Sequence, residues 1–149
     1  MKKFAFTLQT VYDYKLTVEK TQKADLARAN TILRELQEAL SALEESFRRN
    51  SEARDDELAR GECDVRRLEE YDAFFRRVHE DREDLKTKIL AAEKERDRCR
   101  DLLIATMKEL KAYVKLRDKQ YEQYLKDVAA EEEKALGDIV SFSVVSDNK

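Results

Sequence analysis

Few residues in this chain could do chemistry, and they are scattered. The only histidine, His79, lies near Glu80 and Asp81 and reads as a solvated residue, and the two thiols are Cys63 and Cys99. A nucleophilic thiol or a zinc site needs partners at defined spacing, such as a Cys-His arrangement or His-Glu-x-x-His. Neither pattern occurs, and the cysteines lie too far apart in sequence to form a metal clip. Acidic residues are abundant but interleaved with bases, as in Glu93-Lys94-Glu95-Arg96-Asp97-Arg98. On solvated faces such carboxylates have no cause to change their acidity. The chain has only two glycines, too few for a phosphate-cradling loop. These observations argue against catalysis, and no cofactor or metal is expected.

The elements that carry these residues follow from composition. The chain has 149 residues, 42% of them charged, with no proline and no tryptophan. Scarce glycine and proline leave room for very few turns, which argues against hairpin-rich sheets and doubly wound folds. Long helices packed side by side remain. Lys+Arg number 30 against 33 Asp+Glu, for a formal net charge of -3. The interleaved signs suit solvated helix faces with i,i+4 pairs and disfavour a nucleic-acid-binding strip. No run approaches the apolar length needed to span a membrane, and the apolar stretch after Met1-Lys2-Lys3 is too short for a signal peptide. The chain reads as soluble and cytoplasmic.

The apolar period identifies the helices. From Leu68, steps of three and four reach Tyr71, Phe75, Val78, Arg82, Leu85, Ile89, Ala92, Arg96 and Cys99. They continue through Leu103, Thr106, Leu110, Tyr113, Arg117, Gln120 and Tyr124. A seam repeating every 3.5 residues is the mark of a left-handed coiled coil. A second line, Met107, Val114, Tyr121, Val128 and Ala135, widens the apolar face toward the C-terminus. In the first half Leu26, Ala29, Leu33, Leu36, Leu40, Leu43 and Phe47 keep the same spacing, with a weaker seam upstream from Leu8. Between Arg48 and Asp64 the apolar period lapses among Asn50, Ser51, Asp55, Asp56 and Gly61, which are turn-forming types.

The reading is an all-α, long antiparallel two-helix coiled-coil hairpin over residues 1–137. Helix 1 is expected over about 5–52, the connection over about 53–63 and helix 2 over about 64–136. Gly137 is a plausible stop, and residues 138–149 are expected to form a disordered C-terminal tail. A parallel dimer of continuous helices is the alternative; a break lying between two seams favours the hairpin. Arg82, Arg96 and Arg117 would set register from within the seam. Cys99 reads as a small core residue. Cys63 and Cys99 would be roughly 50 Å apart along the axis, too far for a disulfide.

Aromatic residues fall into two groups. One holds Phe4, Phe6, Tyr12, Tyr14, Tyr113, Tyr121 and Tyr124, at the expected open end; the other holds Phe47, Tyr71, Phe74 and Phe75, near the turn. Pairing about residue 56 or about Gly61 places Phe4 opposite the region of Tyr113, so Tyr121, Tyr124, Leu125 and Val128 would overhang without a partner. Such groups are candidates for contact with other proteins. Wide hairpin ends also need large side chains as filling, which suits Phe47 and Phe75 on the seam. Phe74 and Tyr121 lie off the strict seam and favour external contact.

The opening Lys3-Phe4-Ala5-Phe6-Thr7-Leu8-Gln9-Thr10-Val11-Tyr12 resembles the start of FliJ proteins, coiled-coil components of the bacterial flagellar type III export apparatus. Gly61 followed by Tyr71 and Phe74-Phe75 is also similar to that family. The resemblance implies an antiparallel coiled coil like the stalk of rotary ATP synthases, lying in the cytoplasm at the inner face of the cell membrane. It implies one end that enters and promotes the ring of the export ATPase FliI, here Phe4, Phe6, Tyr113, Tyr121, Tyr124, Leu125 and Val128. The other end would contact the export gate FlhA, through Phe74 and Val78, with Phe47 on the first helix and Tyr71 beside them. Export chaperones are a third implied partner, and the free protein is expected to be a monomer. The β-branched, Ser-rich tail departs from the family pattern. The rival readings are the equivalent stalk protein of a virulence secretion system and a structural spacer that dimerises through its seam.

Overall fold

A computed structural model describes residues 2–148. It contains two helices and, among the described residues, no strand: α1, Gln9–Ala59, and α2, Val65–Asp147. They pack antiparallel as an all-α helical hairpin. Both long seams are read correctly from the spacing, because the residues that recur at three and four are the ones taken out of water. Ala29 and Leu33 on α1 and Tyr71, Val78, Cys99, Leu103 and Leu110 on α2 are all buried. Polar Thr106 also occupies a seam position and is buried.

The connection is shorter than expected. α1 ends on Gly61, whose φ of 70° only glycine adopts without strain. The Gly61 N–H donates to the Leu58 carbonyl at 3.2 Å and the Glu62 N–H to the Glu57 carbonyl at 2.9 Å. Together these bonds form a Schellman motif that satisfies the last carbonyls of the helix. Three residues on, Asp64 caps α2, its Oδ1 accepting from the Arg67 N–H at 2.8 Å. Helix 1 therefore runs beyond the expected 52 to Ala59 and begins at Gln9 rather than near residue 5. The seam does not lapse after Phe47. It continues through Asn50, Arg54 and Glu57, all half-buried, and apolar counting missed them because these seam residues are polar.

The C-terminal expectation is also corrected. α2 passes through Gly137 and reaches Asp147, so residues 138–147 are helical rather than a disordered tail. One glycine in a helix interior costs about 1 kcal/mol, and no proline follows to enforce the stop.

By their contacts the residues form two compact units: Thr21–Leu103, and residues up to Lys20 together with those from Ile104 onward. The core of the first holds Leu33, Val78 and Cys99 among others, and that of the second holds Phe6, Thr106 and Leu110. Each such Leu or Val contributes about 1.5–3 kcal/mol by leaving water.

Candidate partner-binding surfaces

In the Thr21–Leu103 unit the aromatic residues cluster around Phe75, Tyr71 stacked on it and Phe47 and Phe74 edge-on. Its ring centroid lies 5.1 Å from Phe47, 5.6 Å from Phe74 and 6.1 Å from Tyr71. Guanidinium groups cover the aromatic faces: Arg54 stands 4.9 Å above Phe75, Arg67 4.7 Å above Tyr71 and Arg82 5.3 Å above Phe47. Beneath them the Tyr71 hydroxyl donates to Glu57 Oε1 at 2.8 Å. Arg67 donates to both Glu57 oxygens, at 3.1 and 3.2 Å. The Arg67 and Tyr71 hydrogen bonds hold the Glu57 carboxyl below its ordinary range. Burial, with the Glu57 bond second, pushes the Tyr71 phenol up. This triad joins α1 to α2 next to the turn. Its sequence signal was the polar seam position Glu57, which an apolar search passes over.

The structure divides the four residues expected at this surface. Tyr71 and Val78, 4% and 3% exposed, are core groups that a partner reaches only if the helices part. Phe47 is 36% exposed and Phe74 half-buried, so both keep reachable surface. Arg82 lies in the seam as expected, with its Nε buried and without a hydrogen-bond partner. Arg96 pairs with Asp97 at 3.0 Å. Cys63 and Cys99 are free, and burial raises both thiols above their ordinary values.

In the other unit the register differs from expectation. Phe4 faces Tyr121 and Tyr124, at 5.2 and 5.5 Å between ring centroids, rather than the region of Tyr113. The Tyr124 hydroxyl donates to the Lys2 carbonyl at 2.9 Å, and Gln120 Nε2 donates to Thr7 Oγ1 at 3.2 Å. The N-terminal residues thus lie further along α2 than either pairing predicted, because the turn is centred near residue 62, as the cross-helix pairs Glu57–Arg67 and Lys15–Glu109 both show. Tyr121 and Tyr124 stack on each other, with Phe4 edge-on to Tyr121 and tilted against Tyr124, so they are partnered, though Tyr121 stays 46% exposed. Phe6 is buried and belongs to the core. Tyr113 and Val128 are half-buried, Leu125 is exposed, and every described residue from Ala129 on is exposed. Arg117 points to solvent, unlike the other two seam arginines. Lys15 bonds Glu109 at 2.7 Å, and that bond raises its ammonium pKa.

Among the described residues no three His, Cys, Asp or Glu side chains are grouped to hold a metal ion. Nor is any helix long and apolar enough to cross a membrane. What the geometry offers is helix surface: exposed aromatic and aliphatic groups on a scaffold held by a narrow core.

No curated protein and no solved structure matches the chain. The family model described as flagellar FliJ protein matches residues 4–149. That span is nearly the whole sequence and includes both aromatic groups. The chain therefore belongs to the flagellar FliJ family, a non-catalytic family connected with flagellar export.

Proposed function

We propose that this protein promotes assembly of the export ATPase ring, couples that ring to the membrane export gate and escorts export chaperones. It would work at the flagellar base, peripheral to the inner face of the membrane. The observation that supports this reading most is the division of exposed aromatic surface between the two units. Tyr121, Leu125 and Val128, with Phe4 and Tyr124 beneath them, form the surface assigned to the ATPase. Phe74 and Phe47 form the surface assigned to the gate, while Tyr71, Val78 and Phe6 support these surfaces from the core. Aromatic groups half-exposed on a fixed scaffold suit binding, since little side-chain entropy is left to lose.

The test is the hydrolysis rate and assembly state of the cognate export ATPase with and without this chain. Stimulation together with ring formation is the expected result. Tyr121→Ala with Leu125→Ala should abolish most of that stimulation and leave gate binding intact, and Phe74→Ala with Phe47→Ala should do the reverse. A well-folded chain that changes neither rate nor assembly overturns the ATPase assignment. A Phe47/Phe74 variant that binds the gate as tightly as wild type overturns the gate assignment.

A further inference from the structure

The second apolar line on α2 is only partly covered within the chain: Tyr12 and Leu16 border Met107 and Val114, Phe4 meets Tyr121, and every described residue beyond Val128 is exposed. Met107, Val114 and Tyr121 are exposed at 37%, 40% and 46%, and the same seven-residue step leads through Val128 and Ala135 to Phe142, exposed at 77%. Leu125 and Ile139, each four residues beyond a member of the line, are exposed as well. At its upstream end the line borders a groove of about 560 Å³ walled by Tyr12, Leu16, Met107 and Val114. The charged residues of that groove are Lys111, Lys115 and Glu19. A heptad seam left in water is shaped for another helix.

Charge identifies the helix that fits. From Ile104 to Lys119 the line is accompanied by five basic and two acidic residues, and from Ala129 to Asp147 by five acidic residues and one lysine. Lys108, Lys111, Lys115, Arg117, Lys119 and Lys126 make no ion pair among the described residues, and neither do Glu131, Glu132 and Glu133. Several arginines elsewhere are bound in local pairs, such as Arg48–Glu45 and Arg98–Glu95. Two copies of α2 laid parallel would oppose like charges. Laid antiparallel, they bring the basic half of each copy onto the acidic half of the other.

We infer that two copies of this chain associate through an antiparallel pairing of their α2 segments 104–145, the acidic C-terminal segment of each lying along the basic, apolar groove of the other. The apolar line agrees with that symmetry. With Tyr121 against Val128 of the second copy, Val114 meets Ala135 and Met107 meets Phe142, and every such contact occurs twice. In that register Arg117 falls opposite Glu132 and Lys111 opposite Asp138 of the second copy, while Lys115 lies opposite Lys134 and within a turn of Glu131 and Glu132. A two-fold axis requires this self-complementarity. Roughly 60 Å of paired helix can bury an area on the order of that in stable complexes. The pairing also explains why a β-branched, glycine-containing C-terminal segment is retained as an apolar helix. It stands independently of the export reading. Because it covers Tyr121, Leu125 and Val128, contact with the ATPase would require the pair to separate.

The test is the mass of the full chain in solution, by light scattering over a range of concentrations, with charge reversals at exposed sites. Wild type should rise from 17.5 kDa toward twice that mass. Lys115→Glu with Arg117→Glu, and separately Glu131→Lys with Glu132→Lys, should each raise the dissociation constant at least tenfold, since each makes the two halves alike in charge. Mixing the two variants in equal amounts should restore the dimer, because the reversed halves then complement each other. Circular dichroism of each variant should match wild type, the four sites being exposed on α2. A wild-type chain that stays at monomer mass up to roughly 100 μM overturns the proposal. So does a single variant that dimerises as well as wild type, or a mixture that remains monomeric.

Discussion

The two units solve the same problem, two helices side by side, in opposite ways. In Thr21–Leu103 the polar and aromatic groups beside the turn find partners within the chain. Glu57 is shared by Arg67 and Tyr71, arginines lie over the aromatic faces, and Glu45 accepts from Arg48 and Arg49. In the unit of the chain termini, Lys15 and Glu109 pair, but the other lysines of α2 and its second apolar line are left facing solvent. Satisfied polar groups make a scaffold. Unsatisfied apolar and charged surface makes a binding region, because its free energy is still available to a partner.

Core truncation gives the largest expected effect and can break this contrast. Leu33→Ala and Leu103→Ala, at 5% and 7% exposure, should each cost about 2–4 kcal/mol in urea unfolding followed by helicity. Leu125→Ala, at 47% exposure, should stay within about 0.5 kcal/mol. Equal losses at Leu103 and Leu125 would mean that the second line is buried in solution, as it is in the inferred dimer. Repeating the measurement on the charge-reversed variants separates the two causes.

Next come the glycines, where one substitution should act with opposite signs. Gly61→Ala places a side chain at positive φ and should destabilise by about 1 kcal/mol. Gly137→Ala meets open space inside a helix and should raise helicity, stabilising that segment by up to about 1 kcal/mol. Amide exchange from 130 to 147 reads the second effect directly. A loss of protection there on Gly137→Ala would contradict a continuous α2.

Much of the fold was legible at the sequence level, and the reason is specific. Leu33, Val78, Cys99, Leu103 and Leu110 are apolar and recur with the helical period, so type and spacing together mark them as buried. Glu57 and Arg54 obey the same spacing, but their types conceal it. A charged residue enters a seam only when the opposite helix supplies its partners, and that depends on which residues the turn brings across. The candidate surfaces were legible as aromatic groups but not as surfaces. Phe6, Tyr71 and Val78 looked equivalent to Phe74 and Tyr121 until packing separated the buried from the reachable.

The smallest effects concern pH. Arg48 first, helped by Arg49, lowers the Glu45 carboxyl to about 2, and Glu57 is also held below its ordinary 4.5. Both pKa values are lower folded than unfolded, so these bonds contribute fully above pH 4.5. The contribution should fade as pH falls through the folded values. Thermal midpoints taken from pH 7 down to 3 should therefore decline below 4.5, less steeply in Glu57→Gln than in wild type. Glu45 is 41% exposed and screened by solvent, so Glu45→Gln should change the slope less than Glu57→Gln.

By itself the sequence determined that the chain forms two helices and where their seams run. Each of these follows from residue type and local period. The tertiary structure alone decided that Phe4 reaches Tyr121 and Tyr124, and that Tyr71 closes onto Glu57 while Phe74 remains accessible. These are outcomes of register. Register is set by the length of the connection and by the mutual fit of side chains far apart in sequence, neither of which is a property of any single helix.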